Sequence, residues 1–274
     1  MRTIAHISDL HFGRHDPAVT EGLLADLAAL RPDLVAVSGD LTQRARRHEF
    51  MAARDFLDRL PAPSLVVPGN HDVPLYNVAR RAFRPLARFA RYISATPQPF
   101  FADSEIAVLG LNTARAAALT NGRISREQID AIRGRFVTLG GTAFRALVTH
   151  HPLTPPPHAP ERGIVRRARY ALDAVAEAGI ELILTGHYHQ SFTGDSASYH
   201  LAAHRAVLVS QAGTAISTRL RDESNSYNVI RIDGRDIGCE QRSWTGRAFA
   251  GLSAQVFRHR EGCWTPTHTA ATSS

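Results

Sequence analysis

Short apolar runs in this chain end, one after another, in polar motifs, and that repetition limits the fold more than any bulk property does. Ser64-Leu65-Val66-Val67 passes straight into Pro68-Gly69-Asn70-His71-Asp72, with no room for a helix between them. Asp9-Leu10-His11, Gly39-Asp40, His150-His151-Pro152 and Gly186-His187-Tyr188-His189 each stand just past another such run. Runs of this length without alternation suit strands buried on both faces. Helical stripes separate them: Leu23, Leu24, Leu27 and Leu30 in the stretch from Pro17, then Phe50, Phe56, Leu57 and Leu60 in the stretch from Arg46. The order βαβαβ follows for the first 67 residues, with a polar cluster at the carboxyl end of each strand.

Further along, Val73 to Tyr92 reads as helix broken at Pro85, and Phe100–Ala102 with Ile106–Leu111 as an antiparallel pair. Ser125 and Gln128 form a capping box that opens a helix running to Phe136. Ala143–Thr149 and Ile180–Thr185 are strands on either side of a helix over 165–178, with Gly179 as its left-handed cap. Runs near 199–202, 206–210, 226–232 and 236–243 predict consecutive antiparallel strands closing a second sheet. Residues 1–245 therefore read as one domain and 246–274 as a C-terminal extension, its end after Thr265 disordered.

Composition narrows the setting. A chain of 274 residues, 44% hydrophobic and 21% charged, is ordinary globular material. No apolar run approaches a membrane span, and Met1-Arg2-Thr3 leads directly into the first core strand, so the expected location is cytoplasmic. Cys239 and Cys263 have no metal-cage or redox spacing. The net charge of +7 is carried entirely by arginine, which reads as codon bias as much as selection for an anionic partner.

Asp9, Asp40 and Asn70 with His11, His150, His187 and His189 thus gather at the carboxyl edge of one sheet, where open α/β sheets place ligands. Singly, the oxygen donors among them read as caps or turn formers. Together, nitrogen and oxygen donors without thiolate suit two divalent ions such as Mn, Fe, Zn or Co, with Asp40 as the bridging carboxylate. Such a pair, roughly 3.5–4 Å apart, activates water and grips both sides of a phosphoryl group.

In this order, Asp9-x-His11, Gly39-Asp40, Gly69-Asn70-His71-Asp72, His150-x-Pro152 and Gly186-His187-x-His189 resemble the five signatures of the calcineurin-like metallophosphoesterase superfamily. The resemblance spans roughly residues 3–233, and among the branches the compact bacterial phosphodiesterases that include the class III cyclic nucleotide and glycerophosphodiester enzymes are similar in length and layout. It implies a four-layer αββα sandwich with two mixed β-sheets and the metal site at the carboxyl ends of the strands. It also implies Asp9, His11, Asp40 and His189 around one metal, and Asp40, Asn70, His150 and His187 around the other, with Mn or Fe the expected ions. His71 would then face the phosphate, with Asp72 orienting its ring, and a metal-held hydroxide would attack a small phosphodiester. A pyrophosphate hydrolase acting on a nucleotide-linked lipid, a nuclease, and a non-enzymatic metal-dependent binding module are the rival readings. No aromatic-rich stacking stretch favours nucleic acid, and oligomeric state is left open.

Three further features are ambiguous in sequence. Arg219 and Arg221 read either as anion ligands or as solvated partners of Asp222 and Glu223. The proline-rich stretch 153–163 reads as a substrate-covering loop or a plain connection, with His158 a weak candidate on it. Gly69 is expected to let the chain turn.

Overall fold

The computed structural model describes residues 1–96, 98–117, 120–137, 143–155, 164–195, 207–220, 223–234, 236–260 and 262–267. Its first third alternates as the apolar periodicity predicts: β1 (Arg2–Ile7), α1 (Pro17–Leu30), β2 (Leu34–Val37), α2 (Arg47–Leu57) and β3 (Ser64–Val66). Asp16 caps α1, its carboxylate accepting from Ala18 N at 2.8 Å and Val19 N at 3.3 Å, with Pro17 in the first turn. Two short helices follow, α3 (Val78–Phe83) and α4 (Ala87–Tyr92), broken around Pro85.

The middle of the chain gives β4 (Phe100–Ala102), β5 (Ile106–Leu111), α5 (Arg126–Arg135), β6 (Phe144–Thr149), α6 (Ala168–Glu177), β7 (Leu182–Thr185), β8 (Phe192–Asp195) and β9 (Leu208–Gln211). The capping box on α5 forms as read, Gln128 N donating to Ser125 Oγ at 3.2 Å and Ser125 N to Gln128 Oε1 at 2.9 Å. The chain then runs through β10 (Ser226–Asp233), β11 (Asp236–Trp244), β12 (Phe249–Arg260) and β13 (Cys263–Thr267).

These strands form two mixed sheets. One has the order β13-β12-β11-β10-β1-β2-β3, the other β4-β5-β6-β7-β9-β8. In the first, β1, β2 and β3 are parallel, with Ile4 opposite Leu34 and Val37 opposite Val66. In the second, β5, β6, β7 and β9 are parallel. Period-two alternation sorts their side chains into three apolar layers. Ile4, Leu34, Ala36 and Leu65 meet Val108, Ala146, Val148 and Leu184 between the sheets. Ala5, Ile7, Val35 and Val37 point the other way, against Leu23, Leu27, Phe50 and Phe56 of α1 and α2. Leu109, Leu147 and Ile183 pack on α5 and α6. The result is the expected αββα order of layers.

Two expectations about the last quarter are corrected. The runs near 206–210, 226–232 and 236–243 do not close a second sheet as consecutive antiparallel strands, because β9 lies between β7 (parallel) and β8 (antiparallel) in one sheet while β10 and β11 extend the other beside β1. Residues 249–267 are not an extension outside the sandwich, because β12 pairs with β11 and β13 with β12, and Phe257 and Trp264 cover the inter-sheet core. The strand expected at 199–202 and the tail 268–274 lie outside the described residues.

Candidate metal centre

Each candidate ligand stands where its strand has run out. Asp9 and His11 follow β1, Asp40 follows β2, Asn70 opens a 3-10 turn (Asn70–Asp72) after β3, His150 follows β6, and His187 and His189 follow β7. Five of them occupy the left-handed region: Asp9 (φ 54), His11 (φ 48), Asp40 (φ 52), His187 (φ 77) and His189 (φ 61). That conformation costs an L-residue roughly 1–2 kcal/mol. Hydrogen bonds between the strand ends hold it: Asp9 N to Gly39 O at 3.1 Å, His11 N to Asp40 O at 2.9 Å, Gly186 N to His150 O at 3.1 Å, and His187 N to Asp9 Oδ2 at 3.1 Å. Concentrated strain of this kind marks a functional site.

The side chains form two donor sets. In one, Asp9 Oδ1 lies 3.5 Å from both His11 Nε2 and His189 Nε2, whose rings stack within 4° at 5.1 Å. In the other, Asn70 Oδ1 lies 3.1 Å from both His150 Nε2 and His187 Nδ1. Asp40 Oδ2 reaches each set, 3.8 Å from His11 Nε2 and 3.4 Å from His150 Nε2, which is the placement a bridging carboxylate needs. His150 Nδ1 sits 2.8 Å from Ser38 O and so carries the proton, leaving the Nε2 lone pair for a cation. His189 Nδ1 is likewise held by Thr214 Oγ1 at 2.8 Å.

The donors fit a pair of divalent ions. Asp9 Oδ1 and both ring nitrogens of His11 are buried with no hydrogen-bond partner, an arrangement that costs about 1–3 kcal/mol per atom unless a cation takes the lone pairs. Electrostatics agree for the carboxylates and His187, whereas Asp40 and Asp9 draw His150 up to about 9, so a cation bound there would displace its Nε2 proton. Burial would push the carboxyls of Asp9 and Asp40 up, yet His189 and His11 hold Asp9 low and His150 and His71 hold Asp40 well below the carboxylate range. Burial lowers His187 to about 4, and neighbouring His150 pushes the same way. Neutral imidazole and ionised carboxylate are the forms that bind metal.

His151 is also buried and offers a ring nitrogen within 4.8 Å of those of His150 and His187. Its Nδ1 is engaged by Thr113 Oγ1 at 2.8 Å. His150, which touches both Asp40 and Asn70, is the better-placed of the pair.

Several roles are corrected by the geometry. Asp72 does not touch the His71 ring. Its carboxylate accepts from Gly69 N (2.9 Å), Leu41 N (3.2 Å), Thr42 N (2.9 Å) and Thr42 Oγ1 (2.9 Å), so it ties the loop after β2 to the loop after β3. His71 is oriented instead by the carbonyl of Gln43, 2.9 Å from Nδ1, a backbone partner that no side-chain motif announces. Gly69 has φ −103 and needs no glycine to turn; a Cβ there would run into the Asp40 carboxylate and amide. Gly186 is similar, its absent Cβ leaving room for Ser8 Oγ and the Asp9 carboxylate, whereas Gly39 (φ +98) needs both freedom and space.

Arg219 resolves in favour of the site. Its Nη1 lies 3.2 Å from His71 Nε2, and Glu223 is occupied by Ser191 N at 2.9 Å. Asp9, His11, Asp40, His150 and His189 are buried, while Asn70, His71, His187 and Arg219 are half-buried, so the centre meets solvent on the His71 side. Arg221, His158 and most of the proline-rich stretch (156–163) lie outside the described residues.

An αββα sandwich with two N/O donor sets sharing a carboxylate at the carboxyl ends of its strands is the layout of a metallophosphoesterase. The chain belongs to the calcineurin-like phosphoesterase family, whose pattern residues 2–191 match. It is 24% identical over 205 residues to a probable cyclic nucleotide phosphodiesterase from Synechococcus sp., an alignment covering 69% of this chain and 74% of that one. It is 39% identical over 80 residues to a glycerophosphodiester phosphodiesterase from Enterobacter lignolyticus, there covering 25% of this chain and 29% of the relative. A dimetal phosphatase from Danio rerio shares the fold at a TM-score of 0.64 and 13% identity, over 92% of this chain and 98% of that one. Among the described residues no helix is long and apolar enough to cross a membrane.

Proposed function

We propose that this metallophosphoesterase is a phosphodiesterase requiring two divalent ions, acting on a small diester such as a cyclic nucleotide or glycerophosphodiester. The observation that carries the reading is the pairing of His71 with Arg219 at the solvent side of the two donor sets. Asp9, His11, Asp40 and His189 would hold one ion, and Asp40, Asn70, His150 and His187 the other. Bound there, the ions supply Lewis acidity and water activation at neutral pH.

The chain's own groups account for orientation and charge. Gln43 O fixes the His71 ring through Nδ1, leaving Nε2 directed at the substrate. Arg219 presents guanidinium N–H groups beside it, and a planar donor fork matches two oxygens of one phosphate. With Nδ1 donating to Gln43 O, the Nε2 lone pair accepts from Arg219 Nη1, so His71 would hold the guanidinium in place against the phosphate oxygens. A diester carries one negative charge, and Arg219 offers it a cationic partner beside His71.

The test is turnover of bis(p-nitrophenyl) phosphate by purified protein loaded with Mn, beside p-nitrophenyl phosphate. No hydrolysis of either substrate would refute the enzymatic reading, and preference for the monoester would refute the diester assignment. His71→Ala should keep its metal by elemental analysis and lose most turnover, whereas Asp40→Ala should lose metal. Initial rates across cyclic AMP, glycerophosphoesters and a UDP-linked lipid then rank substrate classes.

A further inference from the structure

The short helices after the His71 loop form a surface that neither the sandwich nor the metal centre explains. Helix α3 buries none of its side chains. Tyr76, Val78 and Phe83 are 72%, 73% and 85% exposed. Beside them Arg47, Arg80, Arg84, Arg88 and Arg91, with Tyr92, line a hollow of about 410 Å³, and Phe83 shares an adjoining hollow with Arg80 and Arg84. Among the described residues none of these five arginines is ion-paired, although Arg54 and Arg59, close by in sequence, pair with Asp58 and Glu21. Arg88 donates to Ala45 O at 2.6 Å; burial and the charge of Arg80 both work against its protonated form.

Five unpaired cations in one concavity form a strong positive field that calls for an anionic partner. The apolar neighbours decide which kind. Single-stranded nucleic acid would use Tyr76 and Phe83 for stacking but has no use for aliphatic Val78 and Leu75, themselves 73% and 38% exposed. An interface of lipid phosphates and acyl chains uses all of them, arginines at the headgroups and apolar side chains below.

We propose that α3 and α4 form a docking surface for an anionic lipid bilayer, Arg80, Arg84 and their neighbours taking lipid phosphates while Tyr76, Val78 and Phe83 enter the interface. Arg88 grips Ala45 O, two residues from the Gln43 carbonyl that orients His71. Docking would therefore set the catalytic loop beside the membrane. The proposal stands independently of the catalytic reading, since it concerns binding alone.

The experiment is co-sedimentation of the full chain with phosphatidylcholine vesicles, with and without phosphatidylglycerol, at low and high salt. Wild-type protein should bind the anionic vesicles selectively and release as salt rises. Arg80→Gln with Arg84→Gln should weaken binding about 25-fold, roughly fivefold per arginine. Phe83→Ser and Val78→Ser should weaken it further, with thermal midpoint and circular dichroism unchanged as proof of an intact fold. Equal binding to neutral and anionic vesicles, or variants that bind like wild type, would overturn the proposal. So would oligonucleotide binding that needs the arginines and ignores Val78→Ser, or a dimer abolished by Phe83→Ser in protein that ignores vesicles.

Discussion

Gly69→Ala isolates the idea that the motif glycines exist to let strand ends approach. At φ −103 and ψ −175 the backbone suits alanine, so no conformational penalty enters. The whole effect is steric. The new Cβ would meet Asp40 Oδ1 and Asp40 N inside the 3.0 Å that real Cβ atoms respect, and the amide cannot rotate away. Relieving the overlap separates the loop after β2 from the loop after β3, an overpacking cost of about 1–3 kcal/mol. The same movement stretches the bond from His71 N to Asp40 Oδ1, now 2.8 Å, a charged acceptor worth about 1.5–3 kcal/mol. Together the expected destabilisation is about 2.5–6 kcal/mol, read from urea midpoints of metal-free protein. Gly134→Ala is the control, since nothing lies within 4 Å of a Cβ there, and the helix should gain about 0.5–1 kcal/mol. A Gly69→Ala protein as stable as wild type, with undiminished metal uptake, would refute the reasoning.

Other expectations follow from single contacts. Burial holds His6 neutral, its pKa down to about 3, whereas an unfolded histidine titrates near pH 6.5. The unfolded chain therefore takes up a proton the folded chain refuses, and stability falls as pH drops from about 6.5 toward 3. At pH 5 the loss is about 2 kcal/mol, so His6→Gln should lose that much less than wild type between pH 7.5 and 5 in urea titrations; equal losses would discount His6. Thr214→Val removes the hydroxyl 2.8 Å from His189 Nδ1 and should weaken metal binding about 10- to 100-fold in chelator competition, without changing the donor set. Arg219→Gln should raise KM for the diester by about tenfold or more while metal content stays at wild-type level; a normal KM would remove Arg219 from the substrate site.

The donor set was legible because its residues follow strands whose apolar runs are unmistakable, and period-two burial on both faces leaves few other readings for Leu34–Val37 or Ile106–Leu111. What orients the donors was not, because the partners are backbone groups: Ser38 O for His150 and Gln43 O for His71 have no side-chain signature. Asp72 misled for the same reason, its four partners being three amides and a hydroxyl on two different loops. Strand β12 escaped because it lies near the sheet edge with Gly251 and exposed Leu252 interrupting its pattern. Arg80, Arg84, Arg88 and Arg91 recur at helical spacing in the sequence but blend into a chain of 32 arginines, and the fold brings Arg47 to the same hollow.

The shared position of Asp40 between the two donor sets also bears on how the protein is made. Asp9, Asp40 and Asn70 come from the first 70 residues, while three of the four histidines come from residues 150–189. As the chain leaves the ribosome, the amino-terminal βαβαβ unit emerges carrying two carboxylates destined for burial with only His11 and His71 beside them. Their counterpart imidazoles, and the Ser38 carbonyl's partner His150, arrive only after the second sheet has been synthesised. Closing the sandwich and completing the centre are thus one event, and metal ions in the surrounding medium would reward the chain for docking its two halves rather than for folding either alone.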